Sequence, residues 1–193
     1  TQTLFSASLI AEVLPQIWEQ DHEEGRRRLE QLRQSTRGAL AEMRTLLLEL
    51  RPAAQLQTET SELFKYLVNA FTGRTRIPVA LRLEGDYKLP GEVKIALYRI
   101  TQEALNNIAK HAEAESVVII LLCHAEGVKL DIYDDGIGFE PDQVTAEHLG
   151  LRIMKERAAA LGAEWSLQTS PGQGTTLCIC WTPPANSGNG EPK

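Results

Sequence analysis

The chain has little of several features that mark common classes of protein. Its 193 residues include three cysteines, Cys123, Cys178 and Cys180, and the last two are too closely spaced for a usual zinc pair. No apolar run approaches the roughly 20 residues that cross a bilayer, and no basic segment with a hydrophobic stretch opens the chain. The 26 acidic residues outnumber the 20 basic ones, which argues against binding nucleic acid through its phosphates. We therefore expect buried, reduced thiols in a cytoplasmic segment that contacts neither nucleic acid nor a membrane.

Two helices are predicted at the N-terminal end. From Asp21 to Leu50 apolar or small residues recur at alternating steps of three and four, as in a coiled coil. The preceding segment is also helical in pattern, and Pro15 should kink or end it. A short link at 19–23 would fold the two helices into an antiparallel hairpin, whose apolar stripe favours a homodimer. The stripe consists of Leu29, Leu32, Thr36, Leu40, Met43, Leu47 and Leu50.

The rest of the chain mixes helices and strands. Pro52 should end the second helix, and after a polar linker at 53–60, Ser61 should cap the next helix. An edge strand follows Pro78, and another helix opens at Pro90. Four later strands form two pairs with short turns, which predicts an α+β fold, a two-layer α/β sandwich with helices on one face of a mixed sheet. These strands are predicted at 116–124, 128–133, 164–169 and 175–182, with a helix at 151–161 and a disordered tail at 184–193.

Polar side chains share one side of the helix that opens at Pro90. Glu103, Asn107 and Lys110 recur at positions i, i+4 and i+7 beside an apolar stripe. An amide oxygen, a carboxylate and an ammonium suit a magnesium polyphosphate, although a solvated helix face is the simpler interpretation. His111 lies nearer the apolar side, where a packed histidine is the simpler expectation.

The stretch "DDGIGF" combines two acids with two glycines at the end of a predicted strand. One interpretation is a hairpin turn at Asp135-Gly136. The other is the floor of an adenine pocket, in which Asp134 accepts the amino hydrogen of the base while Gly136 and Gly138 let the ring lie against backbone. The motif alone leaves both open.

Two further glycine signals follow. Gly150 precedes a helix whose N-terminal amides could bind phosphate. Gly172 and Gly174 lie between two strands, with a hydroxyl at Thr175. Each is weak alone, because such glycines occur in many turns.

The order of these motifs carries a resemblance to a known family. "RITQEALNNIAKHA", "DDGIGF", "LGLRIMKERA" and "GQGTTL" resemble the N, G1, G2 and G3 boxes of the ATP-binding domain of sensor histidine kinases, in the superfamily that includes Hsp90, gyrase and MutL. The closest fit is to the subfamily that partners LuxR/NarL-type response regulators. The resemblance implies a Bergerat-type (GHKL) ATP-binding domain at 61–183, preceded at 1–52 by a partial dimerisation and phosphotransfer hairpin.

The resemblance also implies roles for individual residues. Asn107 would hold Mg²⁺, Glu103 would help activate the acceptor histidine, and Lys110 and His111 would lie near the phosphates of ATP. The segment 139–150 would be a lid over ATP, although "EHLGL" is poorer in glycine than the usual G2 box. The adenine and phosphate contacts would come from Asp134, Gly136, Gly138, Gly150, Leu151, Gly172, Gly174 and Thr175.

The acceptor histidine itself is expected to lie before Thr1. "TQTLF" resembles the tail of the family's "HDxxxQxL" signature, and no histidine of this chain stands in that context. Segments before Thr1 in the intact protein could likewise include a membrane anchor. The expected function is the Mg²⁺-dependent, ATP-binding part of a histidine kinase. The alternatives are a GHKL-type ATPase switch and a degenerate dimerisation and docking module.

Overall fold

The computed structural model describes residues 2–50, 57–85, 88–140 and 149–184. Within these ranges the chain forms a helical hairpin followed by three further α-helices and a five-stranded sheet. No helix among these residues is long and apolar enough to cross a membrane. In chain order the elements are α1 (Gln2–Gln20), α2 (His22–Leu50), α3 (Thr60–Thr75), β1 (Val79–Glu84), α4 (Gly91–Asn107), a π-helical turn (Ile108–Ala112), β2 (Val117–His124), β3 (Gly127–Asp134), α5 (Leu149–Ala160), β4 (Glu164–Thr169) and β5 (Thr175–Trp181).

The hairpin is tighter than the sequence predicts. Helix α1 continues through Pro15, so the expectation that this proline ends the helix is wrong. A proline removes one backbone hydrogen bond, and the packing of α1 along α2 compensates for that loss. The link is Asp21 alone, whose carboxylate accepts hydrogen bonds from the N–H groups of Glu23 (2.8 Å) and Glu24 (3.0 Å). These bonds lower the pKa of Asp21 below its usual value.

Helix α2 directs small residues inward and large apolar residues outward. Ala39 is buried, whereas Leu40 and Met43 are more than half exposed, at 53% and 54%. Gly38 packs directly on Gly73 of α3, where a Cβ on Gly38 would lie only 2.6 Å from the Cα of Gly73. The hairpin therefore meets the rest of the chain through a glycine-to-glycine helix crossing, and Leu29, Leu40 and Met43 of the apolar stripe stay exposed.

The sheet has the order β1-β2-β3-β5-β4. Strand β1 pairs with β2 in parallel, and the remaining pairs are antiparallel. The mixed sheet, its β1 edge and the two hairpins confirm the predicted α+β fold. Burial alternates along β2, where Val117, Ile119 and Leu121 join the core with residues of α3, α4 and α5. The helices thus cover one face and leave the other open.

Some local predictions were wrong or fall outside the described residues. Helix α3 begins at Thr60 with Glu59 at the N-cap and no side-chain cap bond, so Ser61 does not cap it. It ends where Arg76 adopts a left-handed backbone conformation (φ 64°). Of the cysteines, Cys123 is buried as expected, but Cys178 and Cys180 are partly exposed. The helix end at Pro52, half of the linker (53–56), most of the lid (141–148) and the tail beyond 184 lie outside the described residues.

Candidate nucleotide-binding site

A cavity of about 470 Å³ lies between α4, the sheet and α5. Its walls come from α4 and the π-helical turn, from β3 and the loop after it, from the start of α5, and from β4 and β5. Seven of the predicted site residues line it: Asn107, His111, Asp134, Gly138, Gly150, Leu151 and Thr175. The other five, Glu103, Lys110, Gly136, Gly172 and Gly174, are not part of its lining.

The π-helical turn changes which residues after Asn107 face the cavity. An α-helix would place Lys110 on the same side as Asn107, but a π-helical turn holds more residues per turn. As a result His111 lines the cavity and Lys110 does not, although both side chains are exposed. The expectation of a packed histidine at 111 was therefore wrong, because His111 is exposed and lines the cavity.

Asp134 is a buried carboxylate at the end of β3. Only 4% of its surface is exposed, and its Oδ1 atom accepts a hydrogen bond from the N–H of Gly136 (3.0 Å). Burial raises the pKa of Asp134, while hydrogen bonds from Gly136 and Thr175 oppose the rise. A buried acceptor at the cavity wall suits a ligand that brings its own N–H donor.

The glycines bring backbone segments into contact. Gly136 lies against the π-helical turn, where a Cβ would lie 2.8 Å from the Cβ of Ala112, and the N–H of Ile137 donates to the carbonyl of Ala112 (2.8 Å). Gly138 and Gly174 have left-handed backbones, with φ of 58° and 68°. A Cβ on Gly138 would lie 2.9 Å from the carbonyl oxygen of Gly174, so both close approaches depend on glycine. Gly136 and Gly174 therefore shape the site without lining it.

Gly172 has a different role. It lies in the β4–β5 turn with open space where a Cβ would be, and its N–H donates to the carbonyl of Ile137 (2.6 Å). Its left-handed backbone (φ 77°) serves the turn. Gly172 thus ties this turn to the loop after β3 and makes no contribution to the cavity wall.

Asp135 stabilises the loop instead of turning a hairpin. Its carboxylate accepts hydrogen bonds from the N–H groups of Glu115 (2.8 Å) and Ser116 (2.9 Å) and from the Ser116 hydroxyl (2.6 Å). These bonds hold the pKa of Asp135 below its usual value. Strand β3 pairs with β2 and β5, so Asp135-Gly136 joins no hairpin. The hairpin interpretation of this motif was wrong.

The start of α5 lies against the polar side of α4. A Cβ on Gly150 would collide with Oε1 of Glu103 and lie 3.3 Å from Nδ2 of Asn107. The absence of a side chain at Gly150 therefore lets the first turn of α5 approach these two residues. Backbone N–H groups at a helix start favour anions, so a phosphate bound at the start of α5 would lie close to the carboxylate of Glu103.

Most of the cavity wall is apolar and was not predicted as a site. The sequence showed these residues only as core positions on α4, α5 and the strands, because one alternating pattern serves both a core and a pocket. Ile137 is half exposed beside the cavity, an unusual position for a large apolar side chain, and could have been noticed inside "DDGIGF". The unpredicted lining residues are Ala104, Ile108, Ala112, Ile132, Ile137, Met154, Leu167 and Leu177, whereas Phe139 was predicted as the first residue of the lid.

Comparisons with known proteins match both parts of the chain. Residues 92–186 match the family "Histidine kinase-, DNA gyrase B-, and HSP90-like ATPase", and residues 1–55 match the family "Histidine kinase". The histidine kinase domain of a blue-light activated histidine kinase from Erythrobacter litoralis is 25% identical, with a TM-score of 0.51. That similarity covers 64% of this chain and 60% of the other chain. Fold and cavity thus define an ATP-binding domain of the histidine kinase, gyrase B and HSP90 class.

Similarity to curated proteins indicates a narrower family within this class. The chain is 30% identical over 177 residues to the sensor histidine kinase LiaS of Bacillus subtilis, covering 92% of this chain and 49% of LiaS. It is 35% identical over 136 residues to the sensor protein VraS of Staphylococcus saprophyticus, covering 70% of this chain and 39% of VraS. The chain belongs to the sensor histidine kinase family, and it spans about half or less of the length of these curated relatives.

Proposed function

We propose that this chain is the ATP-binding catalytic part of a two-component sensor kinase. In the intact protein the γ-phosphate of ATP passes to a histidine on the dimerisation helix and then to an aspartate of a LuxR/NarL-type response regulator. The observation that carries this proposal is the convergence of Asn107, Asp134 and Gly150 on one cavity, from three elements far apart in the chain. Phosphoryl transfer needs mainly positioning and charge neutralisation, and the cavity offers groups for both.

Each polar residue has a role that its surroundings support. The buried carboxylate of Asp134 accepts a hydrogen bond from the adenine amino group, and Thr175 stands beside it. The amide oxygen of Asn107 is a suitable ligand for Mg²⁺, which neutralises phosphate charge when bound. His111 and the start of α5 at Gly150 and Leu151 face the phosphates. Lys110 is exposed and therefore serves the outermost phosphate at most.

Glu103 is suited to activating the acceptor histidine. Its carboxylate lies beside the first turn of α5, next to Asn107 but outside the cavity lining. A base in this position would meet a histidine that approaches from outside the ATP domain. None of the four histidines of this chain stands in the sequence context of the family's acceptor; His111 faces the cavity, and His22 begins α2 beside Trp18 at a ring separation of 5.4 Å. The kinase therefore needs a segment other than these residues for autophosphorylation.

Titration calorimetry with a non-hydrolysable ATP analogue tests the nucleotide site. We expect the unmodified chain to bind the analogue more tightly with Mg²⁺ present. Asp134→Ala should abolish binding, because the base loses its acceptor, and Asn107→Ala should bind without Mg²⁺ dependence.

Lys65→Ala is the control for the titration, because Lys65 is exposed on α3 away from the cavity. Absence of binding by the unmodified chain would contradict the proposal and favour a non-catalytic docking module. Binding together with rapid ATP hydrolysis and no dependence on a histidine acceptor would favour an ATPase switch instead.

The outward stripe of α2 supports a homodimer. Leu29, Leu40 and Met43 are between 47% and 54% exposed, and Leu9 and Val13 of α1 are 48% and 45% exposed. Exposed apolar side chains of this kind on paired helices are stabilised when a second hairpin packs against them.

Leu40→Glu is expected to convert a dimer into a monomer, because it would bury a carboxylate in an apolar interface. The measurement is sedimentation velocity over a range of concentrations. Gln34→Glu, which introduces the same carboxylate at an exposed position roughly 120° around α2 from Leu40, should leave the dimer intact. If the unmodified chain sediments as a monomer at all concentrations, or if both variants behave alike, the hairpin stripe is not the dimer interface.

A further inference from the structure

Two thiols lie side by side on the face of the sheet that carries no helix. Cys178 and Cys180 alternate along β5 with Leu177 and Ile179, which point into the core. Their Sγ atoms are 3.8 Å apart, and both side chains are partly exposed. The pair is therefore reachable from solvent, on the side of β5 away from the nucleotide cavity.

Charged residues of β3 surround the thiols. Asp131 is paired with Cys178 and Lys129 with Cys180, and the Nζ atom of Lys129 lies 2.8 Å from Oδ2 of Asp131. Directly paired residues on one face have Cβ atoms about 5 Å apart. An ammonium group thus stands next to the two sulfurs, where it can compensate added negative charge.

The geometry suits an ion between the sulfurs better than a disulfide. Residues two apart on a strand have Cα atoms about 6.6 Å apart, at the upper limit of the roughly 4.4–6.8 Å range of disulfides. Joining Cys178 to Cys180 directly would require their Sγ atoms, now 3.8 Å apart, to approach each other and would therefore strain β5. An ion bound to both sulfurs spans the existing gap without moving the backbone.

The number of ligands narrows the kind of ion. Among the described residues, no group of three or more histidine, cysteine, aspartate or glutamate side chains is arranged to hold a metal. A structural zinc site, which needs four ligands, is therefore not supported. Two sulfurs fit a soft cation that accepts low coordination, and thiolates select Cu(I) among such ions.

We propose that Cys178 and Cys180 form a two-sulfur binding site for a soft monovalent cation of the Cu(I) type. Each thiol gives up its proton, and the ion forms one bond to each sulfur without a change of oxidation state. The resulting centre has a net charge of −1 and lies beside the Lys129–Asp131 ion pair, whose ammonium group faces the added charge. The site is separate from the proposed kinase chemistry.

Proton release should make this binding depend on pH. Burial, and then the hydrogen bond to Asp131, raise the pKa of Cys178 to about 12, so its thiol is protonated at neutral pH. Metal binding displaces that proton, and affinity therefore rises with pH. The protonated Cys178 thiol should meanwhile react slowly with alkylating agents.

Anaerobic competition against a chromogenic Cu(I) chelator tests the site. The unmodified chain should take up one Cu(I) ion, and Cys178→Ser or Cys180→Ser should lower the affinity at least 10-fold. Cys123→Ala is the matched control, because Cys123 is buried on the other face of the sheet. Circular dichroism verifies that each variant is folded.

Three results would overturn the assignment. The unmodified chain could fail to take Cu(I) from the chelator at any ratio. The two serine variants could bind as tightly as the unmodified chain. Finally, Cys123→Ala could lose the ion while Cys178→Ser keeps it, which would place the ligand elsewhere.

Discussion

Gly73→Val is expected to detach the helical hairpin from the sheet domain. Gly38 and Gly73 meet backbone to backbone, and a Cβ on either would lie within 2.6 Å of the opposing glycine. Valine is a better helix former than glycine by a few tenths of a kcal/mol, so local propensity would favour the variant. The clash, of roughly 1–3 kcal/mol for an overpacked contact, opposes that gain and exceeds it.

Hydrogen–deuterium exchange would measure the detachment. In Gly73→Val the amides of α2 near Gly38 should exchange faster, while those of β2 and β3, in the core of the sheet, should keep their protection. Lys65→Val, on an exposed position of the same helix, controls for valine in α3. Unchanged protection of α2 in Gly73→Val would mean that the two glycines do not hold the hairpin in place.

Asp134→Asn is expected to weaken nucleotide binding without destabilising the free protein. A hydrogen bond to a charged group contributes about 1.5–3 kcal/mol, so the loss of charge should cost about 10- to 100-fold in affinity. The buried, ionised carboxylate is itself unfavourable in the empty site. The variant should therefore unfold at the same or a higher temperature, which calorimetry would measure.

The pH dependence of nucleotide affinity provides a second, independent test of Asp134→Asn. Because the pKa of Asp134 is raised in the folded protein, its contribution to stability is present at acid pH and lost as the pH rises through that pKa. Nucleotide affinity depends on the charged form, so it should fall as the pH drops through the same raised pKa. Asp134→Asn should remove this dependence. A variant that binds as tightly as the unmodified chain at all pH values would exclude Asp134 as the adenine acceptor.

Helices and strands were predicted correctly where a sequence pattern is compatible with only one type of secondary structure. Alternation along β2 and β3 and the stripe of α4 were sufficient for the α+β fold and its hairpins. Helix ends were less predictable, because capping depends on individual bonds: Asp21 caps α2, whereas Ser61 caps nothing. Pro15 in α1 shows that packing can override a local preference.

Candidate site residues were predictable where the residue type and the order of the motifs allow few chemical roles. Asn107 and Asp134 were chosen by residue type, and the cavity contains both. The position of Lys110 outside the cavity depended on the π-helical turn, which has no periodic signature in a single sequence. The cavity walls were also missed, because apolar residues such as Met154 look the same in a core and in a pocket.

The side chains of β5 point alternately to two different surfaces of the sheet. Thr175 and Leu177 face the nucleotide cavity, while Cys178 and Cys180 face the open side of the sheet. Single substitutions can therefore change one surface during evolution and leave the other intact. Insertion or deletion of one residue would exchange the two sets of side chains and destroy both surfaces together. We therefore expect natural variation in β5 to consist of substitutions, with changes in length confined to the turns at its ends.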